Sequence, residues 1–212
     1  MKFKNLIFDI DGTILDSYKV YMPALRDAMK KESDYDMTDR LMGIFFRMKE
    51  MEFYDTIEVD PNSKSGKNIK KMYYDYLDTH QMKCFDGIKE TLNQLNERGF
   101  RLFINTSRTM ENLLQIEDLK DILPLFEDIV TVDQIVNKKP HAESMQLLLD
   151  RNNLDPKETL VVADGINDGL AGMKAKIEFV LANYGCRNRD IAYHYIIEDI
   201  KEIFNVLYAE KN

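Results

Sequence analysis

Short apolar runs recur along the chain, and most end on a polar residue. Leu6, Ile7 and Phe8 precede Asp9 and Asp11; the later segments "RLFINT", "DIVTV", "TLVVAD" and "EFVLAN" follow the same plan. Runs this short, bounded by turn residues, read as strands. Between them the spacing predicts helices: Ile88 to Arg98, ended by Gly99, a segment from about Met110, Ala142 to Asn152, and a short helix from Asn167. Strands alternating with helices imply a parallel sheet covered on both faces.

One interval departs from this alternation. From Asp16 to about Lys83 there is no convincing strand, and "KVYMPALRDAMKK" and "TDRLMGIFFRMKEMEFY" carry apolar residues at helical spacing. Pro, Asn, Ser and Gly mark a loop from Val59 to Asn68, before a helix from Ile69 to about His80. The expected architecture is α/β: a parallel Rossmann-like sheet with helices on both faces, plus a small helical cap domain inserted after the first strand. Residues 1–15 and 84–212 form the core and 16–83 the cap. Met42, Phe45, Phe46, Met48, Met51 and Phe53 are read as core packing and cap-to-core contact. Near the C-terminus, "HYIIEDIKEIFNVL" reads as an edge strand and a helix, with Glu198 and Asp199 in its first turn, where negative charge suits the helix dipole.

Composition narrows the function classes. A net charge of −8 works against non-specific affinity for nucleic acid, so an anionic substrate must meet a locally positive pocket. No run of roughly 18 apolar residues occurs, and the opening "MKFKNLIFDI" reaches its aspartate too early for a signal peptide. The expectation is a cytoplasmic protein with no membrane or nucleic-acid partner, a monomer or homodimer acting on a small molecule. Cys84 and Cys186, without CxxC spacing, are read as reduced thiols. "SKSGKNIKK" lacks the full spacing of a phosphate loop and a strand before it.

In parallel sheets, ligands sit outside the carboxyl ends of the strands. Asp9 and Asp11, Thr106 and Ser107, Lys139, and Asp164 and Asp168 all fall at or just after such ends. Four acids gathered at one edge repel one another unless a cation sits among them. Oxygen ligands with no clustered histidine or cysteine favour Mg²⁺. The hydroxyl of Thr106, nearby backbone N–H groups and the ammonium of Lys139 could hold three phosphoryl oxygens, while one carboxylate attacks phosphorus.

In order, "FDIDGTILDS", "LFINTSRT", "KKP" and "VVADGINDG" resemble the four motifs of the haloacid dehalogenase-like phosphatases, and the insert's position resembles the helical cap of the phosphoglycolate phosphatase-like branch. The resemblance implies Asp9 as nucleophile, Asp11 as general acid and base, and Thr106 and Lys139 as holders of the transferring phosphoryl group. It implies Mg²⁺ as cofactor, with Asp9, Asp11, Asp164 and Asp168 around it, Asp11 through its backbone carbonyl and Asp168 in the outer shell. Gly12, Ser107 and Arg108 join Thr106 and Lys139 as phosphate-binding candidates. Lys138 is read as solvated, and His141 follows Pro140 closely enough to approach the site.

Asp11 also bears on the reaction. A halide leaves without a proton, whereas an alkoxide needs one, so an aspartate two residues after the nucleophile favours phosphate esters over haloacids. Ala163 stands before Asp164 where mutases of the branch often carry glutamate, which favours hydrolysis. The expected function is therefore a Mg²⁺-dependent phosphatase acting through an aspartyl phosphate on a small metabolite: a phosphoglycolate-like compound, a sugar phosphate or a nucleoside monophosphate. The alternatives are a phosphomutase of the β-phosphoglucomutase type and a non-catalytic phosphate-responsive module.

Overall fold

The computed structural model describes residues 2–32, 50–79, 81–186 and 191–209. In chain order the elements are β1 (Asn5–Phe8), α1 (Tyr18–Glu32), α2 (Glu50–Thr56), α3 (Lys64–Thr79), α4 (Ile88–Glu97), β2 (Arg101–Asn105), α5 (Met110–Leu114), β3 (Asp128–Val130) and α6 (Glu143–Asn152). They continue with β4 (Thr159–Ala163), α7 (Ile166–Lys174), β5 (Glu178–Ala182), α8 (Asn183–Cys186), β6 (Tyr195–Ile197) and α9 (Ile203–Tyr208).

The strands pair parallel throughout, in the order β3-β2-β1-β4-β5-β6. Phe8 lies beside Ile104 on one side and Val162 on the other, so β1 sits at the centre with every residue buried. Side chains alternate between faces. Ile7, Phe103, Val161, Phe179 and Leu181 form one apolar layer with Met145, Leu148 and Leu149 of α6 and Ala171 of α7. Leu6, Phe8, Leu102 and Ile104 have the opposite parity and are equally buried, as are Ile88, Leu92 and Leu95 of α4. Each fully buried large side chain contributes about 1.5–3 kcal/mol, which is why a four-residue strand such as β1 holds its register.

The chain forms two compact units, Met1–Asp16 with Lys83–Asn212, and Ser17–Met82. In the first unit the chain's exit and return run side by side: Asp16 N donates to Lys83 O at 2.8 Å, and Phe85 N donates to Ile14 O at 3.0 Å. In the second, Leu25, Ala28 and Met29 of α1 pack with Phe53, Tyr54 and Ile57 of α2 and its end, and with Ile69 of α3. Phe53 thus takes the packing role expected of it; Met42, Phe45, Phe46, Met48 and the side chain of Met51 lie outside the described residues, as do most of "TDRLMGIFFRMKEMEFY" and His80. Among the described residues, no helix is long and apolar enough to cross a membrane.

Three local expectations change. The loop expected from Val59 to Asn68 ends at Ser63, whose hydroxyl accepts from Gly66 N at 3.0 Å and whose carbonyl accepts from Lys67 N at 3.0 Å. The Ser and Gly there are a helix cap and first turn, so α3 starts at Lys64. The strand expected over "DIVTV" stops at Val130, because Val132 N bonds to Arg108 O at 3.0 Å. Glu198 and Asp199 precede the last helix: Asp199 accepts from Lys201 N at 2.8 Å, capping a single 3-10 turn before α9, and Glu198 accepts from Asn183 Nδ2 at 2.8 Å.

Candidate active site

Strand order reverses at the β1–β4 pair, since β2 and β3 extend to one side and β5 and β6 to the other. Loops leaving these two neighbours therefore diverge and open a crevice at their carboxyl ends. Asp9 stands there, its N–H still bonded to Val162 O at 3.1 Å and its side chain 11% exposed. Asp164, at the end of β4, is buried, and its N–H donates to Thr13 Oγ1 at 3.1 Å, tying one loop to the other.

The backbone comes unusually close at this junction. Gly12 has φ +75°, and a methyl group there would lie 2.3 Å from Asp164 Oδ2. Only glycine combines that conformation with that approach. On the far side, a methyl on Gly185 would lie 1.8 Å from Gly12 O, and Tyr184 OH donates to Thr13 O at 2.9 Å. Thr13, Tyr184 and Gly185 are supports that the sequence reading did not single out; an isolated "YG" after an apolar strand carries no signal of its own.

Lys139, from the loop between β3 and α6, reaches the same point. Its ammonium donates to Asp9 Oδ1 at 2.9 Å, Asp168 Oδ1 at 2.6 Å and the carbonyl of Asn105 at 3.3 Å. Burial opposes its charge, yet Asp168 and Asp9 hold its pKa above the usual lysine value. Asp9 is pushed well above the usual carboxylate range by burial first, then by Asp168, Asp164 and Asp11, against the pull of Lys139. Asp168, Asp164 and Asp11 thus each add to the effect of burial on Asp9. Asn105 was not anticipated: its carbonyl holds Lys139, and its amide donates to Ser144 Oγ at 3.0 Å.

Thr106 is buried and Ser107 exposed. Thr106 Oγ1 accepts from Arg108 N at 3.2 Å. Arg108, a phosphate-binding candidate by the resemblance, is 13% exposed and makes a two-pronged pair with Asp11: Nε to Oδ2 at 2.8 Å, Nη2 to Oδ1 at 2.7 Å. Lys138 is exposed, as expected. His141 does not turn inward; its Nδ1 accepts from Glu143 N at 3.2 Å at the start of α6.

Among the described residues, no three acids stand close enough to form a ready metal cage. Mg²⁺ does not require one, because it keeps several waters and takes one or two carboxylates. The donor set fits it chemically: the acids offer oxygen alone, and the repulsion of Asp168, Asp164 and Asp11, which adds to burial in pushing Asp9 up, is what a cation would relieve.

Buried carboxylates and an ammonium at the switch point of a parallel sheet make this an α/β enzyme site rather than a passive surface. The sequence model of the haloacid dehalogenase-like hydrolases matches residues 6–182, and the chain belongs to that family. A pyrophosphatase PpaX from Oceanobacillus iheyensis is 22% identical over 98% of both chains. The structure of a predicted phosphoglycolate phosphatase from Haemophilus somnus 129PT superposes with a TM-score of 0.81 at 22% identity, covering 98% of this chain and 99% of that one. The HAD-hydrolase YfnB from Bacillus subtilis, in a form bound to magnesium, superposes with a TM-score of 0.73 at 20% identity, covering 99% of this chain and 100% of that one. At these identities the structural matches speak for the fold.

Proposed function

We propose that this hydrolase is a Mg²⁺-dependent phosphatase of small phosphorylated metabolites, working in the cytoplasm through an aspartyl phosphate on Asp9. The observation that carries the reading is the Lys139 ammonium shared between Asp9 and Asp168 at the end of the central strand. Lys139 occupies Asp9 Oδ1 and orients the carboxylate, so that Oδ2 is the oxygen that attacks phosphorus. The same ammonium and the hydroxyl and N–H groups around Thr106 then balance the charge on the phosphoryl oxygens. Asp11 protonates the departing oxygen and later deprotonates the water that opens the acyl phosphate. Mg²⁺, held by Asp9, Asp164 and the Asp11 carbonyl with Asp168 behind them, would supply positive charge against the phosphoryl group. The helical unit 17–82 has the role of a cap.

The relatives' names suggest two substrates to try first, pyrophosphate and phosphoglycolate. The test is inorganic phosphate release across a panel of phosphate esters and pyrophosphate, with Mg²⁺ or EDTA, for wild type beside Asp9→Asn. Release that EDTA and the substitution both abolish is expected. A folded Asp9→Asn enzyme that keeps its activity would overturn the reading; isomerisation of a hexose phosphate without phosphate release would replace it with a mutase.

A further inference from the structure

The pair between Arg108 and Asp11 conflicts with the work given to Asp11. Both carboxylate oxygens accept hydrogen bonds from the guanidinium, at 2.7 and 2.8 Å. While that fork is closed, each Asp11 oxygen is committed to one guanidinium hydrogen bond, and the carboxylate is held facing Arg108 rather than a leaving group or water. We propose that Arg108 is a leaving-group sensor: it releases Asp11 in exchange for a second anionic group on the substrate, carried by the leaving group next to the scissile bond. This rests on the phosphatase reading and deepens it by naming a substrate class.

Geometry supports the exchange. The backbone of Arg108 is pinned on both sides, its N–H on Thr106 Oγ1 at 3.2 Å and its carbonyl accepting from Val132 N at 3.0 Å. The guanidinium is therefore carried from a fixed base beside Thr106. A planar fork is displaced most readily by another acceptor that matches it two-pronged, a carboxylate or a phosphate. The guanidinium touches the carboxylate given to the leaving oxygen, so an anion that competes for it is carried by the leaving group, close to that oxygen. The terminal phosphate of pyrophosphate and the carboxylate of 2-phosphoglycolate both satisfy this. A simple alkyl phosphate offers nothing to exchange.

The experiment compares kcat/KM for pyrophosphate, 2-phosphoglycolate and ethyl phosphate in wild type, Arg108→Ala and Arg108→Lys. Wild type is expected to favour at least one anionic leaving group over ethyl phosphate, and the two anionic substrates separate a phosphate from a carboxylate. The preference should shrink by about tenfold or more in Arg108→Ala and return in part in Arg108→Lys, which restores the charge without the fork. A merely structural role would depress all three substrates together, and a preference unchanged within about twofold overturns the proposal. Absence of phosphate release from every compound in wild type would instead sink the phosphatase reading, and binding then decides. The Arg108 Nε–H resonance, identified by its loss in Arg108→Lys, should shift with methylenediphosphonate and not with methylphosphonate; equal or absent shifts overturn the exchange.

Discussion

Lys139 donates to Asp9 Oδ1 at 2.9 Å from a side chain that is 5% exposed, and the same nitrogen spans to Asp168. Removing one member of such a buried set leaves the others uncompensated, at a cost of about 3 kcal/mol. Lys139→Ala should therefore lower the melting temperature in EDTA by roughly 6–12 °C. It should also reduce kcat by roughly 10²- to 10³-fold, as expected for loss of a preorganised positive group at the transferring phosphoryl. Differential scanning calorimetry and phosphate release check the two effects, and a kcat within twofold of wild type would remove Lys139 from the chemistry.

The upward push on Asp9 sets a pH dependence. Its folded pKa lies above the unfolded value of 3.8, so the stability it contributes is present below that value and is lost as pH rises through the folded pKa. Asp9→Asn has no charge to bury. In EDTA, urea unfolding should show the variant gaining on wild type as pH rises from 4 to 8. A wild type that gains on the variant over that range would mean that Lys139 outweighs burial and the neighbouring acids.

Much of this was legible in the residues because strand ends are written locally. "LIFDID" and "LVVAD" announce buried strands that stop at carboxylates, and a parallel sheet brings its carboxyl ends to one edge whatever its exact order. Contacts made across the sheet were not legible. Nothing near Asn105 says that its carbonyl will meet Lys139, and nothing near Thr13 says that its hydroxyl will hold Asp164 N. The Arg108–Asp11 fork joins residues 97 apart in sequence, so no local pattern announces it. Ser63 shows the opposite ambiguity, since one residue type serves loops and helix caps alike.

The approach of Gly185 to Gly12 gives a test of the loop junction itself. A methyl on Gly185 would sit 1.8 Å from a backbone carbonyl, which cannot rotate away as a side chain would. Gly185→Ala must then move the β1 loop that carries Asp11. The expected result is a loss of about 2 kcal/mol, or roughly 4–8 °C in melting temperature, with a larger proportional loss in kcat than in KM. Wild-type melting and kcat in the variant would show that the two loops can separate at no cost.

Cys84 sits where the chain re-enters the core, and Asp118 holds it on two sides. Asp118 Oδ2 accepts from Cys84 N at 2.7 Å, and the Asp118 carbonyl accepts from Cys84 Sγ at 3.6 Å. Burial, then the hydrogen bond and charge of Asp118, push the thiol up to about 12. Because the thiolate is the reactive form, alkylation by iodoacetamide in a Cys186→Ser background should be slow at pH 8 and keep rising about tenfold per pH unit beyond pH 9. Asp118→Asn removes the negative charge that opposes the thiolate and should speed the reaction at fixed pH. A rate that levels off near pH 9 in the parent protein would mean that the thiol escapes both burial and Asp118, and the returning segment would then be opening faster than the reagent reacts.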